Sequence, residues 1–169
     1  MARGRSTGGG GGDAAGFPQS SAWERPGFLL WHATMRWQRL ATRALEPFGL
    51  THAQFTLLGA TLWLEEHGDH PPSQRELSEH ATVDAMMTSQ VVRALEAAKL
   101  IRRTEDAKDA RVKRLRCTAK GRRVAVAAVA AVEAVEDEVF GPEGERSPEL
   151  VGLLQRLADR DAEGHPLRR

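Results

Sequence analysis

Between residues 73 and 117, two short capped helical segments run directly into a pair of alternating segments, and no other stretch constrains the fold as strongly. Ser73-Gln-Arg-Glu76 is a capping box, in which hydroxyl and carboxylate each satisfy an amide that the helix start leaves orphaned. The helix it opens is short, with Leu77 inward, because 79–83 interrupts it. Asp84 then caps a second helix over 85–98. Its inward face is expected to hold Met87, Val91, Leu95 and Ala98, and its outward face Thr88, Ser89, Gln90 and Arg93. Met86 and Val92 fit either side. Residues 100–105 and 111–117 flank the polar turn 106–110 and read as a β-hairpin. Along its second strand Lys113, Leu115 and Cys117 alternate with Val112, Arg114 and Arg116. Two helices joined by a tight turn and followed by a basic hairpin make a helix-turn-helix with a wing. The expected class is mainly α with a small β-hairpin wing.

The flanking segments are helical. Trp37, Leu40, Ala41, Ala44, Leu45 and Phe48 recur at three- and four-residue spacing in a first helix over 28–46, ended by Pro47 and Gly49. Leu30, Trp31 and Met35 lie off that stripe, so this helix needs covering on two sides. Thr51 and Gln54 form a capping box for a second helix with Phe55, Leu58, Gly59, Leu62 and Trp63 inward, stopped by Gly68. Thr118 opens a Val/Ala-rich helix to Phe140, ended by Gly141-Pro142. At about 1.5 Å per residue it is roughly 35 Å long, more than one small domain covers. Ser147 and Pro148 start a last helix whose apolar face is Leu150, Leu153, Leu154 and Leu157. The surplus apolar surface asks for a second copy of the chain. The expected division is a Gly-rich disordered tail over 1–25, one domain over 26–160, and a flexible end over 161–169. Within the domain, 51–117 is expected to form the winged helix-turn-helix core, the part suited to binding DNA, and 28–47 and 118–160 the N- and C-terminal dimerisation helices.

A net charge of +1 over 169 residues conceals a strong asymmetry. Residues 1–72 are neutral, 73–123 carry +6 and 124–169 carry −5. The basic block coincides with the two short helices and the hairpin, which points to a polyanion-binding surface. A single cysteine, Cys117, excludes a disulfide framework and a Cys-rich zinc site. It is expected to be a small half-buried hydrophobe, although Arg116 and the following helix start would lower its pKa if it were exposed. His67 and His70 lack a third ligand at metal-binding spacing, so a solvated turn is expected and no metal. No Gly-rich phosphate loop, acid/base pair or nucleophile with its base is visible, so neither enzyme activity nor a cofactor is expected. No long apolar run or secretory leader is seen, and a cytoplasmic location without membrane contact follows as an expectation.

The outward residues of the fourth helix, Thr88, Ser89, Gln90 and Arg93, are suited to base edges and phosphates in a major groove. The helix start at Ser73, Gln74 and Arg75 is suited to a phosphate. The hairpin tip, with Lys108, Arg111 and Lys113, is suited to a minor groove, Asp109 orienting Arg111. With these residues in view, the chain resembles the multiple-antibiotic-resistance regulator (MarR) family of winged-helix repressors over about residues 28–157. The resemblance rests on Thr88-Ser-Gln-Val-Val-Arg-Ala-Leu-Glu96, Leu100-Ile-Arg-Arg103, Asp109-Ala-Arg111 and Cys117-Thr-Ala-Lys-Gly121. It implies recognition-helix contacts at Ser89, Gln90 and Arg93, and a wing contact at Arg111 oriented by Asp109. It also implies a homodimer on pseudo-palindromic double-stranded DNA, released by a small phenolic or anionic effector. His32, Arg36 and Trp63 are the candidates to line the effector cleft, Arg36 suiting an anion. The alternative is a winged-helix dimer that serves as a protein-interaction module. Lys99 stands where the family often has glycine, so the recognition helix is expected to end without a left-handed cap. Lys108 replaces an arginine common in the wing, and Cys117 a leucine.

Overall fold

The computed structural model describes residues 21–106, 109, 111–141 and 147–159. The tail before Ser21, the wing residue Lys108, Pro142 and the stretch 161–169 lie outside them. The chain divides into two units, residues 1–35 and 36–169. In the first, Ser21 caps a 3-10 turn, Ala22–Glu24, ahead of the start of helix α1 (Pro26–Leu45). There Trp23 meets Phe28 edge-on at 5.0 Å and His32 at 4.7 Å, and Leu29, Leu30 and Trp31 are exposed.

The second unit holds the core. The rest of α1 leads through a 3-10 turn, Glu46–Phe48, to α2 (His52–His67), then α3 (Gln74–Ala81) and α4 (Ala85–Ala97). Strands β1 (Ile101–Glu105) and β2 (Lys113–Cys117) follow, then α5 (Ala119–Phe140) and α6 (Pro148–Leu157). Both expected capping boxes are made, Thr51 with Gln54 and Ser73 with Glu76. Leu45, Leu57, Leu58, Leu77, Val92, Leu95 and Leu115 close one apolar cluster to which every element of this unit except α6 contributes. On α2, Leu57 and Thr61 are buried while Trp63 is 44% exposed, so its inward face is rotated from the one expected. Helix α5 turns small residues, Ala125 and Ala128, into the core beside α2, which allows close approach of the two helices.

The hairpin is antiparallel, with Ile101 opposite Cys117 and Glu105 opposite Lys113. Its loop is therefore longer than the expected five-residue turn, and Arg111 and Val112 belong to it. The segment before α3 lies beside β2, where Leu115 donates its amide to the Pro72 carbonyl at 2.8 Å. The wing is thereby hydrogen-bonded to the start of the helix-turn-helix.

Two junctions depend on backbone detail. Helix α4 does end in a left-handed cap, contrary to the expectation, because Lys99 itself takes φ 59°. Its amide bonds Glu96 and the Leu100 amide bonds Leu95, both at 2.9 Å, which is the Schellman pattern. At the start of α5, Thr118 accepts from the Gly121 amide at 2.9 Å and donates to the Lys99 carbonyl at 2.7 Å. A Cβ on Gly121 would lie 1.8 Å from the Leu100 carbonyl oxygen, so only glycine fits there. Helix α6 has no buried residue.

Candidate nucleic-acid interface

The surface of α4 follows from which stripe packs inward. Thr88, Val92 and Leu95, at i, i+4 and i+7, are fully buried against neighbouring α2, α3 and β1. The assignment of Thr88 to the outward face is therefore corrected: its hydroxyl donates to the Val83 carbonyl at 3.4 Å. Ser78 donates to the same carbonyl at 2.6 Å, so two hydroxyls brace the turn between α3 and α4. Met87 and Ala98, placed inward by periodicity, are exposed, and Val91 is half-buried. What remains outward is Met86, Gln90 and Arg93, successive along one stripe, with Ser89 half-buried at its margin. Asp84 Oδ1 accepts the amides of Met86 and Met87 at 3.0 and 2.9 Å, which fixes where the helix begins.

The start of α3 is more heavily used by its own fold than expected. Ser73 donates its amide to Glu76 at 2.6 Å and accepts from the Glu76 amide at 3.3 Å, while Gln74 is half-buried. Arg75 is exposed but paired with Glu79 at 2.8 Å. Burial pushes the Glu76 carboxyl up, but the two Ser73 hydrogen bonds and the charges of Arg114 and His70 outweigh this and leave it below its ordinary value.

In the wing, Asp109 Oδ1 accepts the backbone amide of Arg111 at 3.0 Å. Among the described residues no ion pair joins their side chains, so Asp109 shapes the loop rather than aiming the guanidinium. Arg111 and Arg93 are exposed and, among the described residues, have no ion-pair partner. Lys113 is paired with Glu105 at 2.8 Å. The sequence did not single out Arg114, which is only 14% exposed in its side chain. It donates to Asp106 at 2.5 Å and Glu76 at 2.8 Å, and its Nη1 lies 3.1 Å from His70 Nδ1. The alternation of the strand marked its face but not its partners.

Behind the wing, Glu65 is nearly buried and accepts from Arg116 and Arg122, each at 3.3 Å, and from the Cys117 amide at 3.1 Å. Glu66 takes the other arm of Arg122. Cys117 is buried, and its thiol is pushed up to about 12 by burial and then by Glu65, the reverse of the lowering that Arg116 suggested. His67 stacks on Trp63 at 4.7 Å and His80 does so at 5.0 Å. Among the described residues no three His, Cys, Asp or Glu side chains converge as a metal site.

Within the second unit, Arg36 and Trp63 are not brought together as expected. An open cleft of about 400 Å³ lies between α2 and α5, lined by Gly59, Leu62, Trp63, Val126, Val129 and Ala130 with Glu66 and Glu133. Trp63 belongs to it. Arg36 does not, and pairs with Glu138 at 3.8 Å. His32 lies in the first unit among Trp23, Phe28 and Trp31.

The chain's residues 50–113 match the model of the MarR family. It is 37% identical over 132 residues to the HTH-type transcriptional regulator YdcH of Bacillus subtilis (strain 168), covering 78% of this chain and 89% of that protein. The chain belongs to the MarR family.

This MarR-family regulator is a winged helix-turn-helix protein, and solved structures share its fold. One is Bordetella bronchiseptica BpsR, whose DNA binding is regulated by 6-hydroxynicotinic acid. It is 26% identical with a TM-score of 0.70, over 86% of this chain and 100% of that one. Another is the Mycobacterium tuberculosis transcriptional regulator MosR in complex with DNA. It is 27% identical with a TM-score of 0.60, over 80% of this chain and 97% of that one. The family match runs from α2 through α3, α4 and β1 to the first residue of β2, and so contains every residue that forms the outward surface described above.

Proposed function

We propose that this regulator binds a pseudo-palindromic operator in duplex DNA as a cytoplasmic homodimer, reading bases with α4 and gripping the backbone with the wing. The observation that carries this is the difference between its cations. Arg75, Lys113 and Arg114 are held by carboxylates, whereas Arg93 on α4 and Arg111 on the wing stand exposed with no such partner among the described residues. A guanidinium left unpaired in a protein otherwise rich in ion pairs is available to phosphate or to a guanine edge. Gln90 supplies an amide on the same stripe as Arg93, and Ser89 a hydroxyl at its edge. Ser73, Gln74 and Arg75 would lie near a phosphate, which Arg75 reaches only by leaving its exposed pair with Glu79, and Lys108 would add charge at the wing tip. The core 51–117 does the binding, and residues 28–47 and 118–160 join the two copies. Supporting the dimer, Val126, Val129, Leu153, Leu154 and Leu157 are exposed on α5 and α6.

A small aromatic effector would weaken DNA binding from the α2–α5 cleft. Apolar walls suit a phenolic ring, and Glu66 and Glu133 disfavour an anion.

Selection of bound fragments from random duplex DNA, followed by titration of the selected site against salt, tests the reading. Affinity should fall steeply and linearly in log salt. Arg93→Ala should cost about 1–3 kcal/mol on the selected site and less on random DNA, while Arg111→Ala should weaken both alike. Selection that enriches nothing, or substitutions that leave affinity unchanged, would overturn it.

A further inference from the structure

We infer that Met86 and Met87, at the leading end of α4, read thymine methyl groups in the operator; this rests on the DNA-binding reading above. The two side chains are 74% and 46% exposed, although both are large and apolar and both stand in the first turn of a well-capped helix. Their own amides are consumed by Asp84, at 3.0 and 2.9 Å, so this helix start has no N–H at these positions to give a phosphate. What it presents in their place is hydrocarbon and sulfur. Met86 lies one turn ahead of Gln90 and two turns ahead of Arg93 on the outward stripe. A recognition helix enters the major groove with its N-terminal residues at the base edges. The only apolar group offered there is the C5-methyl of thymine. A flexible thioether chain reaches such a methyl without demanding one fixed geometry. A phosphate contact has no use for methionine, and Thr88, the side chain that periodicity offered for this place, is buried.

The test uses the full-length protein and a duplex selected from a random pool. A second duplex replaces every thymine by deoxyuridine, which removes the C5-methyl groups and keeps every hydrogen-bonding group. The thymine duplex should bind about four- to fifteen-fold more tightly per half-site, the scale set by burying one or two methyl groups there. Single replacements should trace the effect to one or two positions per half-site. Met86→Ala combined with Met87→Ala should abolish the difference between duplexes, and Met86→Leu should keep it. Circular dichroism melts should be unchanged, since neither side chain is in the core. Equal affinity of wild type for the two duplexes would overturn the inference alone, as would discrimination that survives in the double alanine variant. A selection that enriches no duplex would overturn it together with the DNA-binding reading.

Discussion

Among the described residues three non-glycine residues sit where the backbone prefers glycine, and two of them, Thr82 and Lys99, lie at the two ends of the α4 region. Thr82 at the α3–α4 turn has φ 53° and Lys99 after α4 has φ 59°. Each carries a Cβ into the left-handed region at a cost of roughly 1–2 kcal/mol. The cost at Lys99 is offset by the two capping hydrogen bonds and by Leu100, which is buried. Lys99→Gly should therefore raise stability by about 1 kcal/mol in chemical denaturation; a loss would show that the lysine side chain matters more than its backbone. Cys117 makes a second residue-scale prediction. Its folded pKa is raised to about 12 from an ordinary 9.0, so the unfolded chain releases the proton first as pH rises. The stability it contributes is full below pH 9.0 and is lost as pH climbs towards about 12. At pH 8 the native thiol should resist iodoacetamide while the unfolded one reacts. Fast labelling of the native protein would show that the thiol is accessible and its pKa is not raised.

At the scale of elements, close backbone approach and polar ties add to apolar burial in placing the wing and the long helix. Gly121 lets the first turn of α5 press against the Leu100 carbonyl, while Thr118 bonds that carbonyl and its neighbour. Gly121→Ala has no room to relax, because the obstacle is backbone. It should cost about 3 kcal/mol or more, read as a drop in the denaturation midpoint. Arg114 ties β2 to Asp106 and to Glu76 of α3, so wing and helix-turn-helix share one buried cation. Arg114→Met should destabilise by about 3 kcal/mol, since it removes the largely buried cation that Asp106 and Glu76 share, the second of which is also the α3 cap. Melting at pH 7 checks this. An unchanged midpoint would mean that the main-chain bond from Leu115 to Pro72 suffices to hold the wing.

At the scale of the whole molecule, one copy leaves too much hydrocarbon in water. Leu153 and Leu157 of α6 are 46% and 61% exposed in a helix with no fully buried residue, and Val126 of α5 is 60% exposed. A pair of chains that covers these faces loses that penalty, and two copies also double the cationic surface offered to DNA. Leu153→Asp together with Leu157→Asp should shift sedimentation at micromolar concentration from dimer to monomer and weaken operator binding at least ten-fold. A wild-type protein that sediments as a monomer would remove the symmetric-operator argument.

Local chemistry alone settled the elements. The capping residues Thr51, Ser73, Asp84, Thr118 and Ser147 each do what their type and spacing implied, because a cap is decided within four residues. The charge asymmetry marked the binding block, and the motif from Thr88 to Gly121 marked the family. Contacts between distant segments decided the rest. Met86, Met87, Val91 and Val92 offer α4 two adjacent apolar stripes, and periodicity does not choose between them. Packing against α2 and α3 chose the stripe with Thr88, because its hydroxyl finds the Val83 carbonyl while the methionines need no partner outside. Likewise the Glu76 partner of Arg114, and the burial that raises the Cys117 pKa with Glu65 adding to it, come from segments far away in the chain, which no local pattern connects to them.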